Sequence, residues 1–178
     1  MPAEYLTATW APSPNYSRGR REPVSLIVIH ITDGQPRTDR CVERFQQAKT
    51  QASPHFVVGR DGEVVQLVAL GDRAWHDSGR NGVSVGIEHV ARTPGELGPE
   101  DAGLPLTDAQ LTASATLVAW LLRQLGLGVD AVVPHCSNLA SSHRDCGRDG
   151  EAGGIWPWRR YREMVSQVTA TTQLAPPT

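Results

Sequence analysis

The segment "VSLIVIHI" (24–31) is almost continuously apolar and rich in β-branched residues. Such a run suits a strand covered on both faces, the situation of a strand inside a parallel or mixed sheet sandwiched by helices. A histidine, His30, stands at its C-terminal end. In open α/β sheets, ligand-binding and catalytic groups gather beyond such strand ends.

The rest of the chain supplies partners for this strand. "TDRCVERFQQAK" (38–49) reads as a helix with Val42, Phe45 and Ala48 or Lys49 on one side. "HFVVGRDGEVVQLV" (55–68) reads as a hairpin around Arg60-Asp61-Gly62, where Asp-Gly favours positive φ. "VSVGIEHV" (83–90) alternates: Val83, Val85 and Ile87 share one face, and Ser84, Gly86 and Glu88 the other, as along an open cleft wall. Prolines, glycines and acids make 91–106 a surface loop. Thr107 and Gln110 fit a capping box that starts a helix. Its buried stripe is Leu111, Ala115, Val118, Leu122 and Leu125, and Gly126 stops it. "AVVPH" (131–135) is a second short buried strand ending in a histidine, and Trp158, Tyr161, Val165 and Val168 mark a last amphipathic helix.

A chain of 178 residues favours one domain with a real core. The expected architecture is α/β: a single domain with a central mixed β-sheet flanked by helices. An extended N-terminal arm (1–23) precedes the domain (24–169), and a frayed tail (170–178) follows it. The net charge of −2 gives no electrostatic reason to bind nucleic acid. No apolar run approaches the roughly 20 residues that span a bilayer, so membrane insertion is not expected. The N-terminus lacks a charged start followed by an apolar stretch and does not read as a signal peptide. The cytoplasm is the default location, with delivery to the periplasm or wall by a non-classical route left open.

Chemistry concentrates in "HCSNLASSHRDCG" (135–147), which holds His135, Cys136, His143, Asp145 and Cys146. Three readings compete. Imidazole, thiolate and carboxylate are zinc donors, and a catalytic site takes three of them. Any such site must combine distant segments, drawing on His30, His55, His76, His89, His135 and His143 with Glu88 and Asp145. Alternatively, Cys136 is a thiol nucleophile with His143 as its base. Otherwise the loop is a polar surface segment, and the strand-end histidines are hydrogen-bonded core residues.

Five segments in order resemble the type 2, AmpD-like, zinc-dependent N-acetylmuramoyl-L-alanine amidases, the group related to phage lysozyme-amidases and peptidoglycan recognition proteins. They are "LIVIHIT" (26–32), "SPHFVVGRDGEVVQLV" (53–68), "DRAWH" (72–76), "SVGIEHV" (84–90) and "PHCSNLASSHRDCG" (134–147), within about residues 24–160. In that group a histidine ends the first core strand and a second opens the late loop. A basic residue follows the second histidine at eight positions and an aspartate at ten; here those positions are His143 and Asp145. The resemblance implies that His30, His135 and Asp145 bind Zn²⁺. It implies that Glu88 is the general base toward water and that His143 stabilises the oxyanion. It also sets Trp75 and His76 along the substrate groove, while His55 and His89 read as structural.

This chain departs from the group in three places. Asp145-Cys146-Gly147 replaces the common Asp-Pro-Gly, which makes Cys146 a rival ligand one residue out of register. Pro54 stands where phage enzymes and recognition proteins carry a tyrosine. His143 occupies a position usually held by lysine.

The expected activity is hydrolysis of the amide between N-acetylmuramic acid and L-alanine in peptidoglycan or muropeptides. An inhibitor or secretion partner is unspecified. The other class is a non-catalytic peptidoglycan-binding module of the same fold. Peptide release lost on Glu88→Ala separates the two.

Overall fold

The computed structural model describes residues 4–5, 7–34, 36–138 and 155–173. Along them run β1 (Thr9–Trp10), β2 (Tyr16–Ser17), β3 (Leu26–Ile31), α1 (Thr38–Phe45), β4 (Phe56–Val58), β5 (Val64–Gln66), β6 (Arg73–Ala74), β7 (Ser84–His89), α2 (Asp108–Leu125), β8 (Val132–Pro134) and α3 (Trp158–Gln173). The main sheet has the order β1-β5-β4-β7-β3-β8, and β2 pairs with β6 in a small second sheet. Strands β4, β7, β3 and β8 are mutually parallel, while β5 runs antiparallel to β4 with β1 parallel to it. The architecture is α/β with a mixed central sheet, as the run at 24–31 requires. No helix among the described residues is long and apolar enough to cross a membrane.

Each face of the sheet is covered by helix. Ile27, Ile29 and Ile31 join Val85 and Ile87 against Leu111, Ala115, Val118 and Leu122 of α2 and against Tyr161 and Val165 of α3. Leu125 of the expected stripe is only half-buried. On the other face, Val57 and Val65 meet Cys41, Val42 and Phe45 of α1. The hairpin turns through Gly62 at φ +91°, the left-handed conformation that Asp-Gly anticipates.

The local signals at α2 hold in part. Thr107 Oγ1 accepts from Gln110 N–H at 3.1 Å, and Gly126 closes the helix at φ +67°. The reciprocal half of a capping box does not form. Gln110 is fully buried and donates instead to the carbonyls of Val58 (2.9 Å) and Val90 (3.2 Å), tying α2 to the strand ends.

The N-terminal arm contributes more than cover. Its Ser13 and Asn15 donate to the Phe45 carbonyl, and Asn15 also donates to that of Gln47. These bonds satisfy the carbonyls where α1 stops, so the helix ends at Phe45 rather than continuing to 49, and only a 3₁₀ turn (Ala48–Thr50) follows. Arg20 donates to the carbonyls of Leu70, Asn81, Gly82 and Ser84, locking the arm to the loop before β7. At the far end α3 runs to Gln173, beyond the boundary expected at 169.

Candidate active site

Parallel register assembles the site. β3 pairs with β7 so that His30 lies opposite Glu88, and directly opposed residues project to one face. β3 pairs with β8 through Ile27↔Val132, Val28↔Val133 and Ile29↔Pro134, so the next residues in line are His30 and His135. Their ring centroids are 4.4 Å apart. Three neighbouring parallel strands thus deliver His135, His30 and Glu88 at their C-terminal ends, on the face shared with α1.

These groups open into a cavity of about 410 Å³ whose wall also includes Trp75, Arg44 and Glu96. His30 and His135 are nearly buried, at 2% and 7% exposure, so the cavity meets ring edges rather than whole side chains. Trp75 is half-buried, and its indole N–H donates to Ser17 Oγ at 3.0 Å, which fixes the ring plane.

His76 lines the same cavity as Trp75, and both of its ring nitrogens have partners. Its Nδ1 lies 3.0 Å from His30 Nε2 and its Nε2 lies 3.1 Å from Ser84 Oγ. The ring rests on Gly86, where a Cβ would come within 2.4 Å of His76 Cγ. Burial, with His30, His55, His135 and Arg20 around it, holds the His76 imidazole neutral, well below the ordinary histidine range. The expected open polar face of β7 is therefore largely filled: Ser84 is fully buried, Gly86 is covered, and Glu88 alone of the three lines the cavity.

Asp77 supports the other histidine. Its side chain is buried, with Oδ1 3.7 Å from His135 Nε2, Oδ1 accepting from Asn138 Nδ2 at 2.5 Å and Oδ2 accepting from Arg80 Nε at 2.6 Å. Arg80 also donates to Ser137 Oγ and the His135 carbonyl, which clamps the turn after β8. Both main-chain amides of His76 and Asp77 are held by Asn81 Oδ1.

His55 and His89 are fully buried and structural, as the sequence suggests. His55 Nδ1 accepts from Gly86 N–H at 3.0 Å, and burial pushes its pKa down to about 3. His89 Nδ1 donates to the His30 carbonyl at 3.0 Å, while its Nε2 meets Ser114 Oγ at 2.7 Å. Cys136 is buried at 2% exposure and is not part of the cavity wall.

His143, Asp145 and Cys146 lie outside the described residues. Among the described residues no three His, Cys, Asp or Glu side chains form a metal-holding group. Two neighbouring imidazoles are nonetheless part of a donor set suited to zinc, which takes one further protein ligand beside them.

The comparisons with known proteins bear on this arrangement. Residues 20–148, well over half of the chain, match the family described as N-acetylmuramoyl-L-alanine amidase. The chain belongs to that family. Membership implies a metal-dependent amidase. N-acetylmuramoyl-L-alanine amidase A of Achromobacter lyticus is 27% identical over 92% of this chain and 96% of its own length. The 1,6-anhydro-N-acetylmuramyl-L-alanine amidase AmpD of Citrobacter freundii is 32% identical over 87% of this chain and 88% of its own. A crystal structure of a selenomethionine AmpD derivative shares the fold with a TM-score of 0.66 at 24% identity, covering 93% of this chain and 99% of the other.

Asp77 and Arg80 are absent from the sequence reading of the site, and Ser84 and Gly86 enter it only as an open cleft wall, not as the support of the His76 ring. Only the crowding of "AWHD" and "SVGIE" hints at them, since nothing local says that the two segments meet.

Proposed function

We propose that this protein hydrolyses the amide between the lactyl carbonyl of N-acetylmuramic acid and the L-alanine nitrogen of the stem peptide, in muropeptides or peptidoglycan. The carrying observation is the register that lines up His135, His30 and Glu88 at three adjacent strand ends inside one cavity. The bonds named in the Achromobacter lyticus and Citrobacter freundii relatives give the substrate class.

In this reading His30 and His135 hold Zn²⁺, with Asp145 as third ligand. Zinc, when bound, supplies Lewis acidity toward the scissile carbonyl and toward water. Glu88, opposite His30, takes a proton from the attacking water and passes it to the departing L-alanine amine, so the products are a lactyl carboxylate and a free amine. General-base help of this kind is typically worth ~10² to 10⁴-fold. His143 stabilises negative charge on the carbonyl oxygen. Trp75, held by Ser17, offers an indole face against which sugar or peptide lies.

The buried position of Cys136 weighs against a thiol nucleophile, which needs access to the scissile carbonyl. Stripping metal with a chelator and adding zinc back tests the reading: amide cleavage is expected to vanish and return. Cleavage that survives chelation contradicts it.

A further inference from the structure

One hydrogen-bond direction in the site is fixed by chemistry. Ser84 Oγ lies 2.7 Å from the Arg80 carbonyl, which only accepts, so the serine hydroxyl proton points there. Ser84 Oγ must then accept from His76 Nε2, 3.1 Å away, which makes His76 the Nε2–H tautomer. Its Nδ1 is left with a lone pair, and the group 3.0 Å from that lone pair is His30 Nε2. His30 therefore carries its proton on Nε2, and Nδ1 becomes the ring's lone-pair atom. A cation can bind only to a lone pair, so the relay selects which nitrogen of His30 is a ligand.

The adjacent residue treats the other histidine in the same sense. Asp77 Oδ1 faces His135 Nε2 at 3.7 Å and is immobilised by Arg80 and Asn138. At 3.7 Å, beyond hydrogen-bond reach, the buried carboxylate acts on His135 through its charge, which favours a proton on Nε2 and leaves the lone pair on Nδ1. Gly86 is the permissive element, since any side chain at that position would displace the His76 ring.

We propose that His76 and Asp77 are positioning residues: one dipeptide that fixes the tautomer and ring orientation of both metal-binding histidines, with Ser84 and the Arg80 carbonyl anchoring the relay. The inference rests on the metal reading given above and deepens it. Outer partners of this type typically account for about 10- to 100-fold in metal affinity. His76 also borders the cavity, and its effect on the metal runs through His30.

The test uses the full chain and two readouts other than turnover. Zinc affinity is measured by competition with a chromophoric chelator, and histidine ring tautomers are read from side-chain ¹⁵N spectra of the zinc-free protein. Wild type is expected to show His30 as the Nε2–H tautomer. His76→Phe keeps a ring but loses the acceptor, and its zinc affinity is expected to fall about 10- to 100-fold. His76→Asn, whose amide oxygen can accept near the position of Nδ1, is expected to recover much of that loss. Asp77→Asn is expected to weaken zinc binding in the same direction. Ser84→Ala removes one hydroxyl, and a mixed His30 tautomer with severalfold weaker zinc binding is expected; it decides the matter if His76→Phe does not fold.

An Nδ1–H tautomer for His30 in wild type overturns the relay. So does unchanged zinc affinity in folded His76→Phe, or in Ser84→Ala where His76→Phe is unfolded. Failure of the metal reading looks different: wild type then takes up no zinc and His30→Ala changes nothing, whereas the zinc-free ¹⁵N spectra still report on the relay.

Discussion

His30 Nε2 lies 3.0 Å from His76 Nδ1, so the histidine one residue short of the end of β3 is held by a second ring that rests on Gly86 of β7. That second ring fits because residue 86 is glycine. Gly86→Ala would set a methyl 2.4 Å from His76 Cγ. Overpacking of a filled site costs typically about 1–3 kcal/mol. A lower thermal midpoint together with weaker zinc binding is expected, measured by calorimetry and chelator competition. A variant with both unchanged would mean that the ring moves aside without consequence.

Glu88 sits opposite His30 in register but is not among the proposed ligands. Glu88→Gln keeps the shape and removes the proposed base. The turnover number is expected to drop by about 10² to 10⁴-fold, with zinc affinity and KM nearly unchanged. A drop in zinc affinity of the same size would make Glu88 a ligand instead.

Trp75 forms part of the cavity wall with its indole nitrogen already committed to Ser17. The contribution proposed for it is therefore apolar contact shared by bound substrate and transition state. Trp75→Ala is expected to raise KM for muropeptide severalfold and to leave the turnover number within about twofold, as uniform binding requires. Steady-state kinetics on a defined muropeptide separates the two parameters.

His55 is buried with its pKa pushed down to about 3, by burial first and by the neighbouring Arg20 cation second. In the unfolded chain its value returns to about 6.5. The unfolded state thus binds the extra proton, and the stability tied to neutral His55 is complete above pH 6.5 and is lost as pH falls from there toward 3. The slope approaches about 1.4 kcal/mol per pH unit for one such group. Denaturant unfolding from pH 7.5 to 4.5 should show falling stability, and His55→Gln should flatten that slope by about one proton's worth. An equal slope in both proteins would place the acid sensitivity elsewhere.

The legible parts of this protein are those written in short-range pattern. The apolar run at 24–31, the Asp-Gly turn and the Thr107–Gly126 helix each carry their signal within a few residues, and each formed. The pairing of His30 with His135 was accessible because both end buried strands. Less legible were features made by distant chain segments. Gln110 satisfies two strand-end carbonyls instead of closing its own cap, α1 stops where Ser13 and Asn15 take its carbonyl, and Arg20 reaches the Ser84 carbonyl across the sequence. His76 shows the limit most clearly. Nothing near "DRAWH" says that its ring will lie on Gly86 with both nitrogens occupied, because that depends on the β6–β7 connection folding back over β7.

The most direct test of the proposed activity is mass spectrometry of purified peptidoglycan and soluble muropeptides after incubation with the protein, its chelated form and the chelated form given zinc. Stem peptides with an unblocked L-alanine amine are expected from the native and zinc-restored protein and from neither the chelated sample nor His30→Ala. No such peptides from any substrate, or the same peptides from His30→Ala, would contradict the account and turn attention to a peptidoglycan-binding module.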